Sequence, residues 1–249
     1  MSIRLVNILL LVIVLVLPAT LYASSTTPAS PYWQRHDSLL FLGGMAAVGL
    51  TMLADKSIDD HTRSHQSSDL ANMADVLHVA GHPLTTFSVA GGMLAYGWWN
   101  KDVTRMTKGC VALESVVVSQ IVTLGLKAVS GRHRPDGENG SGTYSPFSFD
   151  TDKDSFPSGH TAGAFALASA LVDESSSAGS RYGYYALAGL IGASRIYRGD
   201  HWASDVVAGA LIGELAGRMV KRAHAGRDRT FLLLPWLNGG PGFQLARRF

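Results

Sequence analysis

Two histidines and three cations, drawn from separate stretches of the chain, have the makings of a phosphate-ester site. Lys127, Arg134 and Arg195 carry enough positive charge to offset a phosphoryl dianion. Arginine suits two-point contact with phosphate oxygens, and lysine acts as a point charge. Asp154-Ser-Phe-Pro-Ser-Gly-His-Thr161 precedes an apolar run and reads as the entry to a helix. Pro157 suits the first positions of that helix, where N–H groups lack partners anyway. Ser158 and Gly159 then offer backbone N–H groups and a hydroxyl at the positive end of the helix dipole, where an anion is favoured. His160 stands beside this cradle, placed to pass a proton to whatever is bound. His201 and Asp205 are four apart at a helix start, a spacing that can put them on one face. A carboxylate bonded to one imidazole nitrogen fixes the tautomer and leaves the other nitrogen free to attack phosphorus. Taken singly, each feature has an ordinary explanation as a helix cap, a surface ion pair or a structural histidine.

Their arrangement in three blocks is harder to explain that way. The first block is Lys127-Ala-Val-Ser-Gly-Arg-His-Arg134-Pro135, the second Ser155-Phe-Pro-Ser-Gly-His160, the third Ser194-Arg195 leading to His201 and Asp205. Together they resemble the signature of the type 2 phosphatidic acid phosphatases, a superfamily shared with bacterial class A acid phosphatases and vanadium haloperoxidases. The resemblance runs from about Leu126 to Glu214. It implies that His201 is a nucleophile forming a phosphohistidine, that Asp205 orients it, and that His160 protonates the leaving group and later activates water. Ser158 and Gly159 would hold the phosphate with Lys127, Arg134 and Arg195. No metal or other cofactor is implied, because the cations take a metal's place.

The rest of the chain must position these blocks. A net charge of +2, with no basic stripe interleaved with aromatics, argues against nucleic acid as a partner. Cys110 is the only cysteine, which excludes a disulfide framework; among Gly109, Val111 and Ala112 it reads as a small buried hydrophobe. Residues 1–23 read as a secretory signal, or an uncleaved anchor, with Arg4 before the apolar run Ile8–Leu17. Residues 24–38 read as a linker, 39–225 as the helical phosphatase domain and 226–249 as a tail. Apolar stretches at Leu39–Ala54, Pro83–Trp99 and Gly109–Val129, then helices at about His160–Val172, Tyr184–Ile196 and Ser204–Val220, predict an all-α bundle of about six core helices. Asp55–Asp75 is polar, and Thr230–Phe249 looks like short extended segments around a Gly-Gly-Pro turn.

Short apolar runs, and Glu114, Gln120, Glu214 and Arg218 inside them, argue against a full set of membrane spans. Counting every apolar run through Val129 as a crossing would also put Lys127 and Arg134 on the cytoplasmic side. The expectation is therefore a peripheral or soluble bundle on the periplasmic side of the envelope, with an integral inner-membrane protein as the alternative. Arg132, His133, Arg198 and Asp200 lie between block positions and could touch the substrate. His61 and His65 share a face with Asp59 and Asp60, more plausibly solvated than metal-binding. Tyr96, Trp98 and Trp99 read as interface or core packing. The expected activity is hydrolysis of phosphate monoesters, with phosphorylated lipids at a membrane surface as the expected partner. The alternatives are a broad-specificity periplasmic acid phosphatase, a vanadate-dependent haloperoxidase, and an envelope protein with a vestigial site.

Overall fold

The structure, a computed structural model, describes residues 33–135, 140–147, 151–173, 176–225, 232–236 and 242–246. The signal run and most of the linker expected from sequence lie outside these residues. The described residues form seven α-helices: α1 (Arg35–Ser64), α2 (Ser68–Gly81), α3 (Pro83–Trp99), α4 (Val103–Ser130), α5 (Gly159–Leu171), α6 (Ala178–Tyr197) and α7 (Ala203–Ala225). Two strands follow, β1 (Leu232–Trp236) and β2 (Gly242–Ala246), paired antiparallel with Leu234 opposite Gln244. The all-α bundle and the extended tail expected from the sequence both form.

Several boundaries differ: α4 begins at Val103 and α6 at Ala178, each six residues before the expected start. The apolar stretch Leu39–Ala54 and the first half of the polar stretch, Asp55–Ser64, are a single helix, because α1 runs unbroken to Ser64. Its polar half is satisfied in place: Asp55 and Asp59 are buried, while Lys56–Asp60 and Arg63–Asp59 pair one turn apart. The chain breaks only at residues 65–67. There the Ser67 hydroxyl accepts from the Leu70 N–H and caps α2.

Helices α1 and α7 are antiparallel and pinned at both ends. At one end Asp37 pairs with Arg222; at the other the Asp55 carboxylate accepts from the Ser204 N–H at 2.9 Å. The same number of residues separates the pins on each helix (37 to 55, 204 to 222), a rise of about 27 Å. That is close to the thickness of a bilayer's hydrocarbon core. Helix α3 leaves the Asp55 end, α4 returns to it, α5 leaves, α6 returns and α7 leaves. Gly131 ends α4 with φ +55°, and a Cβ there would lie 1.7 Å from the Ser145 carbonyl oxygen.

The closest helix pairing is α5 against α7, through a stripe of glycines four apart. A Cβ at Gly209 would lie 2.5 Å from the Ser158 carbonyl oxygen, and one at Gly213 2.3 Å from that of Ala162. Gly217 is equally tight against Ser169. Small residues at this spacing let two backbones approach, which brings the start of α7 onto the start of α5.

The outer faces are apolar. Leu50 and Leu53 of α1, Ile121 and Leu124 of α4, and Tyr182, Leu187 and Leu190 of α6 are exposed. Helices α1 and α4 are long and apolar enough to cross a membrane by length and composition. Apolar patches of this extent mark contact surfaces rather than wet ones. The surface is that of a membrane-associated protein. Tyr96, Trp98 and Trp99 are exposed at the turn between α3 and α4, where the Arg105 guanidinium lies 5.1 Å from the Tyr96 ring centre. Of the two readings of these aromatics, this placement favours the interface.

Candidate active site

Every block residue singled out in the sequence lies at the Asp55 end of the bundle. His201 sits in the loop between α6 and α7, and Asp205 in the first turn of α7. They therefore do not share a helical face, because α7 begins only at Ala203. The Asp205 carboxylate caps its own helix, accepting from the Trp202 N–H at 2.9 Å. It also accepts from the Ser155 hydroxyl and from Arg132, each at 2.5 Å. The His201 Nδ1 lies 3.7 Å from Asp205 but 2.7 Å from the Ser155 carbonyl oxygen. A carbonyl can only accept, so Nδ1 carries the proton and Nε2 the free lone pair. The tautomer expected from a carboxylate partner is thus set chiefly by a backbone oxygen. Burial pushes the His201 imidazole below its ordinary pKa, and Lys127 and Arg195 add to that against the pull of Asp205.

The three cations come from the end of α4, the loop after it and the end of α6. Lys127 Nζ donates to the Asp154 carbonyl and lies 3.4 Å from the Asp154 carboxylate. Arg134 donates to the same carboxylate through Nε at 3.0 Å and Nη2 at 2.6 Å. Its Nη1 is 4.0 Å from Asp200, which also accepts from Arg195 Nη2 at 2.8 Å. Lys127, Asp154, Arg134, Asp200 and Arg195 thus form one continuous chain of alternating charge. Burial would raise the Asp154 carboxyl, but Lys127 and Arg134 outweigh it and hold it below the usual carboxylate range.

Helix α5 starts at Gly159 with Ser158 as its cap, so Pro157 precedes the helix rather than opening it. The reason is local bonding: the Ser155 N–H donates to the Arg132 carbonyl and the Ser158 N–H to the Asp205 carbonyl, each at 3.0 Å, which holds this segment extended. The Ser158 N–H is therefore engaged, and its hydroxyl accepts from Thr161 at 3.0 Å. Gly159, His160 and Thr161 are the first-turn residues whose N–H groups lack an intrahelical partner, since the first helical bond joins Ala162 to Ser158. His160 Nε2 and Arg195 Nε are buried without a hydrogen-bond partner. Both are groups that a phosphate oxygen can engage.

The structure adds residues that the blocks do not contain. Arg132, thought able to touch substrate, is 1% exposed and locked between Asp55 (2.7 Å) and Asp205 (2.5 Å). It supports the site from behind. Asp55 itself was legible only as a lone carboxylate following an apolar run. His133 bonds Ser145 at 3.0 Å, and Arg198 pairs with Asp75 and Asp200. His78 and His82 were not singled out, yet their rings lie 4.9 and 5.6 Å from that of His160. His61 and His65 are exposed, with tilted rings whose centres lie 4.2 Å apart. Among the described residues no cluster of His, Cys, Asp and Glu has the arrangement of a metal site.

Comparison with known proteins points the same way. The PAP2 superfamily profile matches residues 108–229. A lipid A 1-phosphatase of Porphyromonas gingivalis is 40% identical over 113 residues, 43% of this chain and 22% of that protein. One from Rhizobium etli is 35% identical over 144 residues, 56% of this chain and 58% of that protein. The chain thus spans less than two thirds of the length of either relative. Among solved structures, Aquifex aeolicus LpxE has a TM-score of 0.56 and 23% identity, over 68% of this chain and 94% of that one. The first transmembrane PAP2-type phosphatidylglycerolphosphate phosphatase from Bacillus subtilis has a TM-score of 0.61 and 21% identity, over 78% of this chain and 98% of that one. At these identities the two structures share its helical fold.

Proposed function

From the premise that residues 108–229 belong to the PAP2 superfamily, we propose that this protein is a membrane phosphatase that hydrolyses lipid phosphate monoesters through a phosphohistidine. The observation that carries this reading is the convergence of Lys127, Arg134 and Arg195, the unpartnered His160 Nε2 and Arg195 Nε, and one tautomer-fixed imidazole at a single end of the bundle. His201 Nε2 attacks phosphorus. Lys127, Arg134, Arg195 and the first-turn N–H groups of α5, with Ser158 and Gly159 at its start, hold the phosphoryl oxygens as charge develops. The P–O bond to the lipid breaks on the far side of phosphorus, and His160 supplies the proton that the departing alkoxide needs. A water deprotonated by His160 then cleaves the phosphohistidine and releases phosphate. The three cations provide the charge that a divalent metal provides in other phosphatases.

The site end faces the periplasm, and the bundle is embedded rather than resting on the surface. Supporting the embedding are the apolar outer faces and the length and apolarity of α1 and α4. The apolar runs still make three crossings, by α1, α3 and α4, with α2 a short helix on the site side; what differs is the face from which α1 enters. Crossings by α1, α3 and α4 that begin on the cytoplasmic face end with Lys127 outside. The lipid A 1-phosphatase relatives make a phosphorylated glycolipid the first substrate to try.

Phosphate release by the purified protein from lipid A, phosphatidic acid, phosphatidylglycerol phosphate, undecaprenyl diphosphate and p-nitrophenyl phosphate tests the reading. It should persist in excess chelator and be blocked by vanadate. Loss in chelator with recovery on adding a divalent ion contradicts the metal-independent mechanism. Release from p-nitrophenyl phosphate alone replaces the lipid assignment with a broad-specificity phosphatase.

A further inference from the structure

We propose that His78, on α2 and outside the three blocks, is a positioning residue that aims the Arg195 guanidinium at the bound phosphoryl group. The inference rests on the phosphatase reading of this site and names a residue that the blocks do not supply.

The argument starts from hydrogen-bond chemistry. His78 Nδ1 is in direct contact with Arg195 Nη1. A guanidinium has five donors and no acceptor. Nδ1 must therefore present its lone pair, which puts the ring proton on Nε2 and leaves the ring neutral. On its other side the guanidinium donates Nη2 to Asp200 at 2.8 Å. Two of its edges are thus fixed by acceptors from different elements, and the third, Nε, is buried and unpartnered. The same imidazole stacks on His160, with ring centres 4.9 Å apart and planes 25° from parallel. His82 closes the group edge-on, 6.2 Å from His78 and 5.6 Å from His160. One ring therefore touches both Arg195 and His160, each with a buried, unpartnered nitrogen.

The groups facing His78 set its response to pH. They are Asp75 (through Arg198) and His82 from its own segment, His160 from α5, Arg195 from α6, and Arg198 and Asp200 just beyond α6. Burial, then Arg195 and Arg198, push the imidazole below its ordinary value, which keeps Nδ1 unprotonated at neutral pH. Acid that protonates Nδ1 sets an N–H against an N–H and releases the guanidinium. Anion affinity contributed by His78 is therefore present at neutral pH and is lost as pH falls through a value below about 6.5.

A ring that merely fills space predicts something different: its removal would lower thermal stability and leave the pH dependence of anion binding unchanged. The test uses the full chain in detergent, measuring phosphate release together with vanadate binding, which reports the anion site whether or not an ester is cleaved. His78→Leu should weaken vanadate binding and kcat/KM by about tenfold or more, the scale of a hydrogen bond to a charged group. His78→Asn, whose Oδ1 can stand where Nδ1 stood, should recover most of that and lose the acid-side weakening attributable to His78. In an Arg195→Ala background, His78→Leu should cost nothing further, since residues acting through one another are not additive. Full additivity overturns the proposal, as does an Asn variant that melts like wild type yet binds vanadate as poorly as the Leu variant. If His78→Leu does not fold, the pH profile of His78→Asn decides alone, and coincidence with wild type overturns the proposal. Wild type that binds vanadate but releases no phosphate would sink the phosphatase reading, and the His78 comparison would still be read from vanadate.

Discussion

The two ends of the α1–α7 pair are built from the same materials and are left in different states. At the far end, Asp37 is bracketed by Arg222 and Arg218, Arg218 also holds Glu214 at 2.5 Å, and Glu214 accepts from the Tyr185 hydroxyl at 2.7 Å. Glu114 pairs with His224 at 3.0 Å. At the site end, Asp55 and Asp205 bracket Arg132 in the same manner, with Ser204 completing the group. Around that core, however, His160 Nε2 and Arg195 Nε remain buried and unpartnered. A buried polar atom without a partner costs roughly 1–3 kcal/mol, so such atoms are uncommon where nothing binds. The two ends differ in what they gather: ion pairs that hold helices together at one, and at the other two such nitrogens beside Lys127, Arg134 and the first turn of α5.

Breaking the chemistry should have the largest effect. His160→Ala should slow release of phosphate from an alkyl or glyceryl ester by about 10²–10⁴-fold, the range for general acid catalysis. Release from p-nitrophenyl phosphate should fall much less, because that leaving group departs without a proton. Equal losses on both substrates would remove His160 from the leaving-group role. Next comes Arg132→Met, which leaves Asp55 and Asp205 buried together without their cation. A stability loss of about 3–5 kcal/mol is expected, read as a large drop in melting temperature in detergent, together with lost turnover. At the far end, Asp37→Asn should lower stability by about 1–3 kcal/mol and leave kcat and its pH profile unchanged. A change in kcat there would erase the distinction between the ends.

A smaller effect concerns acid. Because burial holds the His201 pKa below its ordinary value, the neutral imidazole persists as pH falls past about 6.5 and is lost only when pH drops through the lowered value. The kcat/KM profile should therefore have its acid limb below that of an exposed histidine. A limb at or above it would mean that the imidazole is not buried as described.

The parts of this arrangement that were legible in the sequence are those fixed by local chemistry. Lys127, Arg134, Arg195, His160, His201 and Asp205 stand in short blocks whose spacing reflects which helix end each must occupy. The bundle was legible because apolar runs of helical length punctuated by Gly and Pro leave few alternatives. The polar half of α1 was not, since Asp55 and Asp59 look like solvated charge until Arg132, Ser204 and Arg63 are seen beside them. Long-range pairing also explains why the Asp205–His201 geometry differed: the Ser155 carbonyl comes from another block, and no spacing rule brings it to an imidazole forty-six residues away. The same holds for His78, 117 residues from the arginine it meets.

The central claim is that His201 carries the phosphoryl group and His160 serves the leaving group, and acid-quench trapping of labelled enzyme tests it most directly. With phosphorus-labelled p-nitrophenyl phosphate, wild type and His160→Ala should trap an acid-labile, base-stable phosphoenzyme, and His201→Ala should trap none. Label on His201→Ala together with none on His160→Ala would reverse the two roles and contradict the account.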